Sequence, residues 1–192
     1  MKRTAPNDLR YIKTERLIQQ TFRDMILEMD YPQISIKELT ERAMINRKTF
    51  YLHYNTLDEL LGVLQIELYN DFFQTTSEIK FPDDLEKFVH QLFTFCADMS
   101  MANEKILYSQ GHFPEGKNPI DYVKEKIFNS YLLVKNPSGY SRTENNIVIS
   151  YLIGSIFCVY TQWIADGKKI PLENIVKYTT QLVSQGLNSL LD

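Results

Sequence analysis

The stretch "SIKELTERAMINRKTFYLHYNTLDELL", residues 35–61, contains three helix starts in close succession. Ser35 is followed three residues later by Glu38, the spacing of a capping box. Ile36, Leu39 and Ala43 then fall on one face of a short helix that stops near Ala43. Asn46 can cap a second short helix, because its side-chain oxygen can accept a free backbone N–H. Thr56 and Glu59 form another box and open a long helix with the apolar stripe Leu57, Leu60, Leu61, Leu64, Leu68 and Phe72. Two short helices, a tight turn and a long helix make the layout of a helix-turn-helix unit.

On the second short helix Phe50 points inward, toward Leu39 and Ala43. Arg47, Lys48 and Tyr51 then lie at the outward N-terminal end, and His53 near the C-terminal end. A helix of this width fits the DNA major groove, where each base pair shows a distinct edge. Arg and Lys can bond guanine O6 and N7, while Tyr and Thr hydroxyls and His can bond phosphates. The helix N-terminus favours a phosphate as well. The candidate DNA-facing set is Lys37, Asn46, Arg47, Lys48, Thr49, Tyr51 and His53. The plainer reading of the same cluster is a solvated surface.

Working outward, a first helix is expected over about Asp8 to Met29, on the spacing of Leu17, Ile18, Phe22, Met25, Ile26 and Met29, with a turn at Pro32. Further helices are expected near 83–100, 103–110, 119–134, 143–165 and 172–190, with loops at 111–119 and 135–142. The chain of 192 residues is long enough for a real core and is 44% hydrophobic. Gly and Pro are scarce, and no train of alternating strands is visible, so the fold class is all-α. Residues 1–54 are net basic and the remainder net acidic, in a chain of formal charge −3. That asymmetry suggests an anionic partner at the N-terminal end. "MKRTAPNDLR" has no apolar core and reads as no secretion signal. The apolar run 147–160 falls short of the ~18 residues that a bilayer span needs. Cys96 and Cys158 read as buried free thiols, so a reducing cytoplasm is the expected location.

Residues 35–61 resemble the DNA-binding segment of TetR/AcrR-type transcriptional regulators. "IKELTERA", the T-F-Y-x-H-Y pattern at Thr49–Tyr54 and "LDELL" at the start of the long helix carry the resemblance, and Phe22–Met29 fits the family's first helix. The resemblance implies an N-terminal three-helix DNA-binding domain, residues 1–56, and a C-terminal helical effector-binding and dimerisation domain, residues 57–192. It also implies a homodimer on a palindromic double-stranded operator. Arg47, Lys48 and Thr49 would then face bases and nearby phosphates, Tyr51 and His53 would hold the backbone, and Phe50 would be core. Two positions depart from the pattern. Met44 stands where the family has glycine in the turn, so a differently shaped turn is expected. Leu57 stands where a phosphate-contacting lysine is common; Lys2, Arg3, Arg10 and Lys13 could compensate from the N-terminal arm.

In the body, Tyr151, Ser155, Val159, Trp163, Tyr178, Leu182 and Gly186 are the candidate dimer interface, since paired C-terminal helices suit a four-helix contact. Phe72, Phe93, Tyr108, Tyr122 and Phe128 are candidates for a small-molecule effector pocket, although such aromatics also serve as plain core. His90, Cys96, His112 and Cys158 show no metal-ligand spacing, and no metal or cofactor is expected. No nucleophile–base pair or phosphate-cradling loop stands out, so the reading is a regulator, a repressor in sense, rather than an enzyme. The competing reading is a DNA-associated module whose body takes a protein partner in place of a small ligand.

Overall fold

The structure, a computed structural model, describes residues 8–76, 78–79, 84–113, 118–127 and 141–191. The described residues form α-helices, one 3-10 turn and connecting segments, with no strand among them. The helices are α1 (Leu9–Glu28), α2 (Ile36–Arg42), α3 (Arg47–His53), α4 (Leu57–Thr75), α5 (Leu85–Ala97), α6 (Met101–Tyr108), α7 (Pro119–Ile127), α8 (Arg142–Ala165) and α9 (Leu172–Leu191); the 3-10 turn spans Tyr31–Gln33. The all-α expectation holds. Phe128, the end of the expected 119–134 helix, most of the 135–142 loop, and Lys2 and Arg3 lie outside the described residues.

Packing groups the chain into two compact units. The first comprises Met1–Tyr69 and Met99–Pro119, the second Asn70–Asp98 and Ile120–Asp192. This is a grouping by contact; the expected 56/57 boundary is one of function.

The three expected helix starts in 35–61 are present. Ser35 Oγ accepts from the Glu38 N–H at 3.2 Å, Asn46 Oδ1 from the Lys48 N–H at 2.8 Å, and Thr56 Oγ1 from the Glu59 N–H at 3.0 Å. The return arms of the two expected boxes go elsewhere. Glu38 takes Arg42 Nη2 at 2.8 Å, and Glu59 accepts the Asn55 N–H at 2.7 Å. A carboxylate gains more from a guanidinium one turn on than from a neutral amide, so Glu38 serves the i,i+4 pair.

Met44 settles the shape of the turn. It adopts φ 51, and the Ile45 N–H reaches the Thr40 carbonyl at 3.0 Å. This is the left-handed helix ending that glycine normally supplies. The expected change of shape is corrected: the turn keeps its geometry and methionine bears the strain. Its side chain is 91% exposed, so little packing compensates. Met44→Gly is therefore expected to stabilise the fold by about 0.5–1 kcal/mol, the left-handed penalty less glycine's extra backbone entropy. Thermal unfolding should show a rise of about 1–4 °C; a fall would mean that the methionine side chain holds the turn.

In the first unit the core draws on Ile18, Phe22, Met25 and Ile26 of α1, Leu39 of α2, Ala43 at its C-cap, Phe50 of α3, and Leu60, Leu61 and Leu64 of α4, all within 2% of complete burial. In the second, α5 packs on α9, and α9 on α8. Phe93 is fully buried, edge-on to Tyr160 at 5.2 Å and stacked on Trp163 at 6.0 Å. Phe72 meets Phe88 and Phe95, each at 5.5 Å. Cys96 is buried as expected, whereas Cys158 is exposed, which corrects its assignment to the core. Helix α8 has 24 residues, and its best window has mean hydropathy 1.7, so length and composition alone would allow a membrane crossing that the 147–160 run does not suggest.

Candidate nucleic-acid interface

Phe50 holds α3 in place. It is completely buried, with Tyr51 edge-on at 5.6 Å and Tyr54 at 5.9 Å. Tyr54, 3% exposed, closes the helix, and its hydroxyl accepts from Gln19 Nε2 of α1 at 3.1 Å. Burial raises the Tyr54 pKa, so the phenol stays neutral. With one side fixed in this way, the other side is set by the helical period.

That outer side carries most of the expected DNA-facing set. Arg47 and Lys48 are exposed in the first turn of α3, Tyr51 is 53% exposed one turn on, and Lys37 is exposed in the first turn of α2. Neither Arg47 nor Lys48 makes an ion pair among the described residues. Arg42 differs: its guanidinium holds Glu28 at 2.6 Å and Glu38 at 2.8 Å. Thr49 is half-buried, and Asn46 is exposed with its side-chain oxygen occupied in capping. Arg10 and Lys13 of α1 are exposed, and Leu57 is half-buried at the start of α4.

His53 is turned partly inward. Its ring stacks on Tyr11 of α1, centroids 4.0 Å apart, and its Nδ1 is buried with no hydrogen-bond partner. Burial lowers its pKa, against a smaller opposing pull from Glu15, so the neutral ring is favoured. An outward hydrogen bond from His53 falls to Nε2. The Tyr11 stack and the Gln19 contact that brace α3 were not legible in the sequence, because their partners lie in a separate helix.

The body candidates divide. Phe72 and Phe93, expected to line a pocket, are 6% and 0% exposed and pack as core; that part of the expectation is corrected. Large rings at helical spacing contribute most by filling the space between packed helices. Tyr122 is half-buried and its hydroxyl donates to Asn70; Tyr108 is half-buried at the end of α6. A groove of about 620 Å³ in the second unit is lined instead by Cys158, Val159, Trp163, Lys169, Ile170 and Ile175.

Of the interface candidates, Tyr151, Tyr178 and Leu182 are 48%, 51% and 60% exposed. Ser155 and Val159 are half-buried. Trp163 is corrected: it is 6% exposed, and its indole N–H donates to the Ile170 carbonyl at 2.7 Å inside the chain. Gly186 is half-buried against Tyr151: a Cβ there would meet Tyr151 Oη at 2.5 Å, so this glycine makes room for a ring of its own chain. Ile147, 66% exposed, lies one turn before Tyr151 and was not among these candidates.

Comparison with known proteins bears on the head and the fold. No protein-family model matches the chain. Over 58 residues it is 40% identical to YxbF of Bacillus subtilis (strain 168), an uncharacterised HTH-type transcriptional regulator. Over 51 residues it is 35% identical to DhaS of Lactococcus lactis subsp. lactis (strain IL1403), an HTH-type activator of the dhaKLM operon. These matches cover 30% and 27% of this chain, and 15% and 27% of the two relatives. The fold as a whole resembles that of the fatty acid degradation regulator FadR from Bacillus halodurans. The TM-score is 0.59 at 19% identity, covering 95% of this chain and 96% of that one. The chain is thus similar over part of its length to HTH-type transcriptional regulators, and its helical fold has a counterpart among solved structures.

Proposed function

We propose that this protein is a DNA-binding transcriptional regulator of the TetR/AcrR type, in which residues 1–56 read DNA and residues 57–192 bind an effector and dimerise. One observation carries the reading. Arg47, Lys48 and Tyr51 stand exposed on a helix whose opposite side is locked by the buried Phe50, within a segment that resembles DNA-reading heads. The arrangement suits insertion of α3 in the major groove, with Lys37 and Tyr51 on the backbone and Arg47 at base edges. In the simplest form the effector loosens DNA binding, which makes the protein a repressor. Selection of double-stranded DNA from a random pool tests the reading: a palindrome should be enriched, and a pool that stays random would refute it.

The homodimer is supported by α8 and α9. Only 33% of the apolar window of α8 is buried within the chain. Ile147, Tyr151, Gly154 and Cys158 recur at i, i+4, i+7 and i+11, a single face, and Tyr178 and Leu182 are exposed on α9. A Cβ at Gly154 would meet nothing within 4 Å of its own chain. Gly154→Leu is therefore expected to leave the monomer fold intact and to separate the dimer, since overpacking a helix contact costs about 1–3 kcal/mol. Sedimentation at micromolar concentration checks this; an unchanged dimer would place the interface elsewhere.

A further inference from the structure

The first turns of α4 carry Asp58, Gly62 and Gln65 at i, i+4 and i+7, in one line along a helix otherwise rich in leucine. No apolar side chain stands on that line, and each position grips part of residues 106–113. Gln65, only 4% exposed, donates Nε2 to the Ile106 carbonyl at 2.9 Å and to the Ser109 carbonyl at 3.0 Å. A Cβ on Gly62 would stand 2.9 Å from Phe113 Cε1, so the ring lies against bare backbone. Asp58 Oδ1 accepts the His112 N–H at 2.9 Å. The same oxygen accepts the Tyr31 hydroxyl at 2.7 Å, from the 3-10 turn that leads into α2. Burial, and the carboxylate beside it, raise the Tyr31 pKa, so the phenol remains a donor.

We infer that Asp58, Gly62 and Gln65 are positioning residues for DNA recognition: they clamp residues 106–113 onto α4, and through Tyr31 the clamp sets the direction in which α2 and α3 leave that helix. The inference rests on the DNA-reading function proposed above. One carboxylate oxygen joins the segment after α6 to the lead-in of the reading helices, so a displacement of His112 reaches Tyr31 through a single group, the Asp58 carboxylate. Gln65 serves the Ile106 and Ser109 carbonyls at once, with that of Leu107 at 3.4 Å, and pulling it away would strand buried polar groups, which holds the clamp closed.

Two variants test it, Gly62→Ala and Tyr31→Phe. The first gains helix propensity, which favours a folded chain while pushing the Phe113 ring. The second removes one hydrogen bond and keeps the ring. Each is measured for DNA affinity on the selected palindrome and on versions with altered half-site spacing, and for amide exchange at His112. The expected result is a loss of about tenfold at the preferred spacing for both variants, with a smaller loss at displaced spacings, because reoriented heads fit a different separation. In Tyr31→Phe, exchange at His112 should quicken about tenfold, the scale of one weakened hydrogen bond. Equal losses at every spacing, or no loss, would overturn the positioning role. If the wild-type chain selects no DNA, the proposed function fails by itself and the exchange measurement decides the clamp: quickened exchange supports the Tyr31–His112 coupling, and unchanged exchange refutes it.

Discussion

Phe50→Ala is expected to lower stability by about 3–5 kcal/mol, the range for emptying a buried aromatic site. The ring is fully buried, and it is the support on which Tyr51 and Tyr54 rest. Small domains hold only about 5–15 kcal/mol in reserve, so much of the head's stability goes with one side chain. Urea unfolding followed by circular dichroism should show an earlier transition, and DNA binding should be lost with it. A change below about 1 kcal/mol would mean that the site collapses to fill the space, and that Phe50 does not anchor the recognition helix.

Arg47→Ala is expected to cost about 1–3 kcal/mol of DNA binding free energy per half-site, roughly 5- to 150-fold, and to relax preference at one base pair of each half-site. The guanidinium is exposed in the first turn of α3 and has no ion pair among the described residues, so removing it does not strand a carboxylate in the protein there. Tyr51→Ala should weaken binding by a similar factor on every sequence, because a hydroxyl on phosphate carries no base information. Competition against a library of altered operators separates the two. Equal losses on every sequence for both variants would contradict the assigned roles.

The helix starts of the head were legible because a cap is local. Ser35, Asn46 and Thr56 each satisfy an N–H two or three residues away, and no distant part of the chain has a say in that bond. The inward side of α3 was legible for the same reason: Phe50 is the apolar ring in a polar helix, and the helical period then directs Arg47, Lys48 and Tyr51 outward. His53 shows the boundary of that argument. Its place near the end of α3 could be read, but its stack on Tyr11 could not, because nothing local specifies which residue of another helix lies opposite.

The body was less legible. Periodicity marks a face as apolar without stating whether the chain's own helices or another surface will cover it. Trp163 and Tyr151 both read as interface; the structure buries the first against Phe93 and leaves the second 48% exposed. Phe72 and Phe93 read as pocket lining and became core by the same ambiguity. By itself, then, the sequence determined the helical class, the caps of the reading head and the outward set on α3, since these follow from bonds and periods spanning a few residues. Only the tertiary structure decided which aromatics are buried, how Met44 takes the turn, and that Asp58, Gly62 and Gln65 hold a segment some forty to fifty residues further on. Those outcomes depend on which surfaces meet, and the energy of a contact belongs to both of its partners.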